Sequence, residues 1–359
     1  MAGFVFRRII LAIPVLFGIL FITFALSRLL PGDPCRAMLG EKATDEICNA
    51  FNIRYGLDKP IPTQFAIYIK DVARGDLGIS FRFGRPVTEL IVERLPTTFE
   101  LSTFAMVFAT LVGIPLGVIS AYYHKSMFDV GTMIGANTGV SMPVFWLGLM
   151  LAYLFGVILK DTPLWLPPSG RLTSGLVATP FYEVWGMHLS NPDDPPFLLE
   201  FISNIYTANA LLSRDWGLLK DSAQHLILPM VALGTIPTAI IARITRSSLL
   251  EVLGQPYIRT ARAKGVGERT VVAHHALRNA LLPVVTIIGL SFGSLLSGAI
   301  LTETVFGLSG VGRLLYEAIT GRDYAIVQGF TLLIAVMFVA LNLIVDIMYA
   351  YLDPRIRLD

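Results

Sequence analysis

Six runs of this sequence are each long and apolar enough to cross a bilayer: residues 9–30, 99–123, 130–159, 226–249, 282–304 and 326–352. A hydrocarbon core takes ~20 apolar residues to cross as a helix. No water is present there to satisfy an open backbone, so runs of this length fold as helices. The expected class is an all-α polytopic membrane protein with six transmembrane helices. Composition agrees: 54% of residues are hydrophobic and only 15% charged, well away from a soluble balance. "NTGVSMP" (137–143) interrupts the third run, which is expected to tilt, to kink at Pro143 or to overrun the membrane.

The first run follows Arg7 and Arg8 as a secretory signal would, but it is longer than a signal core and no small-residue cleavage site precedes Cys35. It is read as a retained helix. Charge then sets the orientation. An amino terminus in the cytoplasm puts Lys125, the basic cluster from Arg246 to Arg278, Arg355 and Arg357 inside, with few acids. The opposite loops, 31–98, 160–225 and 305–325, carry most of the 26 acidic residues. Both termini are therefore expected in the cytoplasm. The net charge of +2 is too small to suggest a nucleic-acid partner. Cys35 and Cys48 share the first external segment, where they are either bridged or two free thiols.

Two regions follow. Residues 1–98 hold the first helix and a small extracytoplasmic cap with two amphipathic stretches, 63–73 and 87–94. Residues 99–359 hold five spans, an external insertion at 160–225 and a basic cytoplasmic loop at 250–282. Within the insertion, "FLLEFISNIYTANALL" is short for a span and is expected to lie in the interface. There is no internal repeat and no low-complexity tract.

The basic loop is "PYIRTARAKGVGERTVVAHHALRNALLP" (256–283). Pro256 suits a first helical turn, Lys264 a last one, and Gly265 can take the positive φ that ends a helix. Ile258, Ala261 and Gly265 fall on one stripe, with Arg259, Arg262 and Ala263 beside it. A helix this short is marginal alone and should dock on another surface. "RTARAKG" followed by "HHALRNALLP" resembles the signature loop of permease subunits of ATP-binding-cassette importers, in the dipeptide, oligopeptide and nickel branch. "PGDP" (31–34), "GLDKP" (56–60), "GDLGIS" (75–80), "PVFWLGL" (143–149), "HLILP" (225–229) and "YLDPRIR" (351–357) extend the likeness over nearly the whole chain. Arg259, Thr260 and Ala261 stand where the general pattern has Glu-Ala-Ala, and Leu282-Pro283 arrives late; both departures fit the peptide branch.

The resemblance implies a type I importer permease fold with a coupling helix seated on an ATPase. Tyr257, Arg259, Thr260, Ala261, Arg262, Lys264 and Gly265 would be the docking residues. It further implies a second homologous permease subunit, two ATPase subunits, an extracytoplasmic solute-binding protein and no cofactor. The cargo expected is a di- or oligopeptide, with nickel or an oligosaccharide as the alternative and a non-transporting scaffold as the remote one. No Gly-Lys dipeptide occurs in the chain, so a phosphate-cradling loop is absent and ATP is left to another polypeptide.

Asp346 is the acid placed clearly within a predicted span, either lining a pathway or paired at the interface. Asn137, Ser141 and Asn342 are further path candidates by polarity. Residues 302–329, "TETVFGLSGVGRLLYEAITGRDYAIVQG", resemble an external family segment expected to fold back near an outer gate, with Glu303, Phe306, Gly310 and Arg313 as its gate residues. "GLSFG" (289–293) matches a hydrolase nucleophile pattern but lies within a span without strand-turn-helix context. Gly289, Gly293 and Ser297 instead form a packing stripe. "GLSG" (307–310) lacks a later histidine, and His274 and His275 lack partners at metal-ligand spacing. The chain is not expected to be an enzyme.

Overall fold

The computed structural model describes residues 2–29, 35–36, 40, 43–54, 56–189 and 195–352. "PGDP" and the cytoplasmic arginines expected at 355 and 357 lie outside that set. Among the described residues the chain is helical, with a single isolated antiparallel bridge, Ile79 to Pro86.

Helix α1 (Ala2–Leu29) is followed by two short helices of the cap, α2 (Asp45–Arg54) and α3 (Ile61–Val72). The amphipathic stretch expected at 87–94 is not a separate element. It opens α4 (Val87–Tyr122), which runs unbroken through the second apolar run. Within 87–94, Val87, Leu90 and Ile91 are buried, packed on the outer ends of later helices.

The third run breaks at Pro143. Helix α5 (Met127–Ser141) and α6 (Val144–Tyr153), extended by a π-turn at Leu154–Ile158, meet at 100°. Proline at the start of α6 has no N–H to continue α5, and it drives Met142 into extended backbone. Among the described residues five helices are long and apolar enough to cross a membrane, and a sixth crossing results when the bent pair counts as one.

The insertion holds α7 (Phe181–Val184), α8 (Phe197–Ser203) and α9 (Tyr206–Ser213). The expected single interfacial run is thus two helices, parted at Asn204 and Ile205. Helix α10 (Trp216–Leu253) begins well before the expected 226, capped by Asp215, whose side chain accepts from Leu218 N at 2.9 Å. Beyond the basic loop with α11 (Pro256–Ala263), α12 (Glu268–Thr270) leads through a π-turn, Val271–Ala276, into α13 (Leu277–Gly298). The fifth run had been expected to continue to 304. Instead Ala299 breaks it, and α14 (Ile300–Val305), α15 (Val311–Thr320) and the final α16 (Tyr324–Leu352) follow.

Helices α4 and α10 make the axis of the bundle and run parallel. Gly234 lies against Ala105 near one end, Gly113 against Thr238 and Ile241, and Gly117 against Ala242 and Thr245 near the other. A Cβ on Gly117 would sit 2.5 Å from the carbonyl oxygen of Ala242. In lipid, where apolar surface gains little by leaving its solvent, this backbone approach is what holds two helices together. The stripe on α13 acts in the same way: Gly289 and Gly293 meet Val345 and Phe338 of α16. Helix α1 lies at the periphery, packed on α16 and α3 with most of its apolar surface open to lipid.

Candidate functional site

At one end of the bundle α11 makes a short knuckle between α10 and α13. Pro256 opens it, and Gly265, at φ +79°, closes it. Gly265 N donates to Arg262 O and Val266 N to Ala261 O, the paired bonds of a helix end that requires a left-handed residue. Ile258 is fully buried among Ala121, Leu249, Val271, Val272 and Ala276, with Ala261 and Val266 packed beside it. The apolar stripe is thus spent on the ends of α4, α10 and α13. The other face points outward. Arg259 and Lys264 are exposed, and among the described residues none pairs with either. Arg262 differs: its guanidinium is held by Glu268 through bonds of 2.9 and 2.6 Å. Tyr257 accepts a bond from the Asn279 amide at 2.7 Å, and Thr260 bonds back to Pro256 O. The π-turn stacks His274 and His275 edge to face, 5.4 Å apart. Among the described residues no group of three His, Cys, Asp or Glu side chains could hold a metal ion.

Close to the knuckle lies a cluster that sequence reasoning missed. Asp129, 4% exposed, receives Nε and Nη2 of Arg246 at 2.6 and 2.8 Å, the Ser120 hydroxyl at 2.5 Å and Lys125 N at 3.0 Å. It joins the end of α4, the tight loop after it, the start of α5 and the last turns of α10. The run boundary at Val130 had excluded it. "SMFD" (126–129) carried the available signal, since Ser-x-x-Asp marks a helix start; Ser126 indeed accepts from Asp129 N. Nothing local marked Arg246 as the partner.

At the opposite end, Glu303 on α14 is fully buried. Thr98 Oγ donates to it at 2.6 Å and Arg313 N at 2.9 Å, while Val311 N donates to Thr98 Oγ. One carboxylate therefore ties α4 to the turn between α14 and α15. Burial pushes its pKa up to about 7, against hydrogen bonds that pull it down. Gly310 passes directly over the carboxylate, where a Cβ would lie 2.3 Å from it. Phe306 is buried beneath, and Gly170 of the insertion donates to its carbonyl. Glu303, Phe306, Gly310 and the Arg313 backbone thus converge, as one turn; the Arg313 side chain pairs with Glu317 instead.

Glu100, a second buried acid inside α4, anchors the insertion. It accepts from Arg171 at 2.8 Å and from both the N–H and hydroxyl of Thr207. Arg171 also stacks on Tyr206, 3.8 Å from the ring centre. These acids qualify the expectation that Asp346 stands out within the spans. The Asp346 side chain lies outside the described residues. Of the other path candidates, Asn137 accepts from Arg243 of α10 at 2.6 Å. Ser141 bonds Asn137 O, and Asn342 bonds Phe338 O. The structure does not bring Asn342 to Asn137. In the cap, Cys35 and Cys48 form a disulfide.

Residues 113–358 match the family described as binding-protein-dependent transport system inner membrane component, and residues 1–102 match its N-terminal companion. The dipeptide transport system permease protein of Alkalihalophilus pseudofirmus is 44% identical over 99% of this chain and 100% of its own length. That of Escherichia coli is 46% identical over 99% of both chains. A di/tripeptide transport system permease protein of Pseudomonas aeruginosa is 44% identical with the same coverage.

Proposed function

The chain belongs to the family of inner-membrane components of binding-protein-dependent transport systems, and from that premise we propose that it is the di- or tripeptide permease subunit of an ATP-binding-cassette importer. The cargo reading draws on what its relatives are named for. Partner ATPases supply the energy, since this chain has no phosphate loop of its own. A second homologous permease completes the path, two ATPases bind from the cytoplasm, and a solute-binding protein delivers cargo from outside. Both termini then face the cytoplasm. Residues 1–98 form the first helix and cap, and 99–359 the permease core, with 250–282 as the coupling loop.

One observation carries the coupling step. The Pro256–Ala263 knuckle buries Ile258 completely and leaves Arg259 and Lys264 outward and, among the described residues, unpaired. An apolar face seated on the ends of α4, α10 and α13 makes the knuckle move with those helices. A cationic face offered to a groove lets an ATPase move it, so closure of the ATPases becomes tilting of the spans. Gly265 fixes the angle of that face. Asn137, Ser141, Asn342 and Asp346 are proposed to line the path, and the turn over Glu303 to shape its outer mouth.

The test is reconstitution of the complex in nanodiscs with binding protein and peptide. Arg259→Glu should abolish peptide-stimulated ATP hydrolysis while the chain stays folded and membrane-inserted. Normal stimulation in that variant would remove the knuckle from the coupling step.

A further inference from the structure

Helix α5 runs antiparallel to α10: Asp129 meets Arg246 at the knuckle end, and Gly139 meets Thr235 farther along. Three residues before Arg246 stands Arg243, inside the apolar run at 226–249. Its Nη2 donates to Asn137 Oδ1 at 2.6 Å. Asn137 lies eight residues past Asp129 along α5, or ~12 Å at the rise of an α-helix. The guanidinium is thus carried away from the knuckle and into the apolar zone, where a long basic side chain near a helix end ordinarily reaches out to water.

Arginine has five N–H donors and no acceptor. One bond goes to Asn137, and among the described residues no carboxylate pairs with Arg243. Arg246, one turn away, has its charge answered by Asp129; that of Arg243 meets only a neutral amide. The same bond orients that amide. Its oxygen must face the guanidinium, which leaves Asn137 Nδ2 as a further donor beside it. Both side chains are exposed in this chain.

A charge at this depth faces water rather than lipid, and the backbone beside it points the same way. Helix α5 has 15 residues and is ~22 Å long, short of a hydrocarbon core of ~30 Å. It stops at Ser141 and meets α6 at 100°. Ser141 and Pro143 at this break are exposed, and the Ser141 hydroxyl donates to Asn137 O one turn back. Irregular backbone at membrane depth persists only inside protein or along a watery cavity. Charge, amide and break therefore mark one wet face.

We propose that Arg243 and Asn137 form an anion site on the wall of the transport path, and that its ligand is the terminal carboxylate of the cargo peptide. This deepens the permease reading and rests on it. Every di- or tripeptide carries that carboxylate whatever its side chains, so one donor cluster serves them all. Because the site is exposed and has no second charge, its hold is weak, and passage requires a site that also lets go.

The test uses the assembled complex in nanodiscs without binding protein, titrated with dialanine and with dialanine amide and read by saturation-transfer NMR. Wild type should bind dialanine at least about tenfold better than the amide, as a charge-assisted bond predicts. Arg243→Met should weaken dialanine by a similar factor and leave the amide unchanged, and Asn137→Leu should weaken dialanine less. Circular dichroism and co-elution of the subunits report folding and assembly. Equal binding of acid and amide by wild type, or undiminished dialanine binding by folded Arg243→Met, would overturn the proposal. So would loss of a subunit from Arg243→Met with helicity intact, which would make Arg243 a subunit contact. Arg243-dependent retention of phosphatidylglycerol over phosphatidylcholine would likewise make it a lipid contact. A separate arm adds binding protein and ATP and follows dialanine uptake into proteoliposomes. Arg243-dependent carboxylate binding without wild-type uptake would remove the permease reading and keep the anion site; wild-type uptake without such binding would do the reverse.

Discussion

Replacing Asp129 by Asn keeps the size of the side chain and removes its charge, while Arg246 stays where the fold has put it. The Asp129 side chain is 6% exposed and that of Arg246 25%. Removing one partner of a buried pair costs ~3–5 kcal/mol, chiefly because the other charge is stranded. Arg246 retains some water, so the lower end applies and Asp129→Asn should cost about 3 kcal/mol. Arg246→Met strands the carboxylate instead. Asp129 still has the Ser120 hydroxyl and Lys125 N–H, so this cost should be about 2–3 kcal/mol. In the double variant no charge is stranded, and its loss should approach that of a single one. The four proteins can be compared by sodium dodecyl sulfate titration in mixed micelles, with helicity by circular dichroism as the signal. A coupling of about 2 kcal/mol is expected. If the two losses simply add, the pair is not an energetic unit and the clasp between α4, α5 and α10 is misassigned.

Three further outcomes follow from the geometry. Gly117→Leu should lower the unfolding midpoint sharply, because overpacking costs ~1–3 kcal/mol or more where backbone must yield and its Cβ would lie 2.5 Å from Ala242 O; Gly18→Leu, with nothing within 4 Å, should be silent. Glu303 keeps its proton up to about pH 7 in the folded chain but loses it near 4.5 when unfolded. The unfolded state thus binds fewer protons between those values, so stability is greatest below the lower one and falls by up to about 3 kcal/mol as pH rises to the upper one. Glu303→Gln should flatten that interval in the same titration, and an unchanged slope would refute the assignment. Finally, a maleimide should label neither Cys35 nor Cys48 before reduction, and Cys48→Ser should cost about 3 kcal/mol for a loop of this size, the two being 13 residues apart.

What the sequence could reveal was whatever has a local cause. The spans are legible because apolar length is a property of one segment. The knuckle is legible to the residue, since Pro256 and Gly265 act on their own backbone. Pro143 marked the break in the third run, though not its angle, which depends on what α6 packs against. The ends of helices in polar regions were harder. Residues 87–94 looked like a separate amphipathic piece because their apolar face meets α15 and α16, more than two hundred positions away. Glu100 and Asp129 looked like acids at run boundaries, and Glu303 was marked only by the family segment that contains it. Their partners, Arg171 with Thr207, Arg246, and Thr98, are each distant in sequence, and a single sequence contains no sign of such pairing.

Four acids are buried among the described residues, Glu100, Asp129, Glu303 and Asp323, and they share one arrangement. Each accepts a backbone N–H from chain outside regular helix or at its margin: Thr207, Lys125, Arg313 and Arg82 respectively. The reason is physical. A helix satisfies its own backbone in lipid, but a turn tucked between helices cannot, and water is not there to help. A carboxylate has lone pairs to spare and can serve a side-chain donor at the same time, as Glu303 serves Thr98 and Asp323 serves Ser80. Three of the four sit at the end holding the cap, the insertion and the α14–α15 turn, where irregular chain is most extensive; the fourth braces the α4–α5 loop beside the knuckle. Helices α4 and α10 are joined along their length by glycine contacts and clasped at the knuckle end through Asp129 and Arg246, so under the proposed coupling a push on the knuckle would reach both at once. The turns at the far end are fixed to α4 through Glu100 and Glu303 and would travel with it.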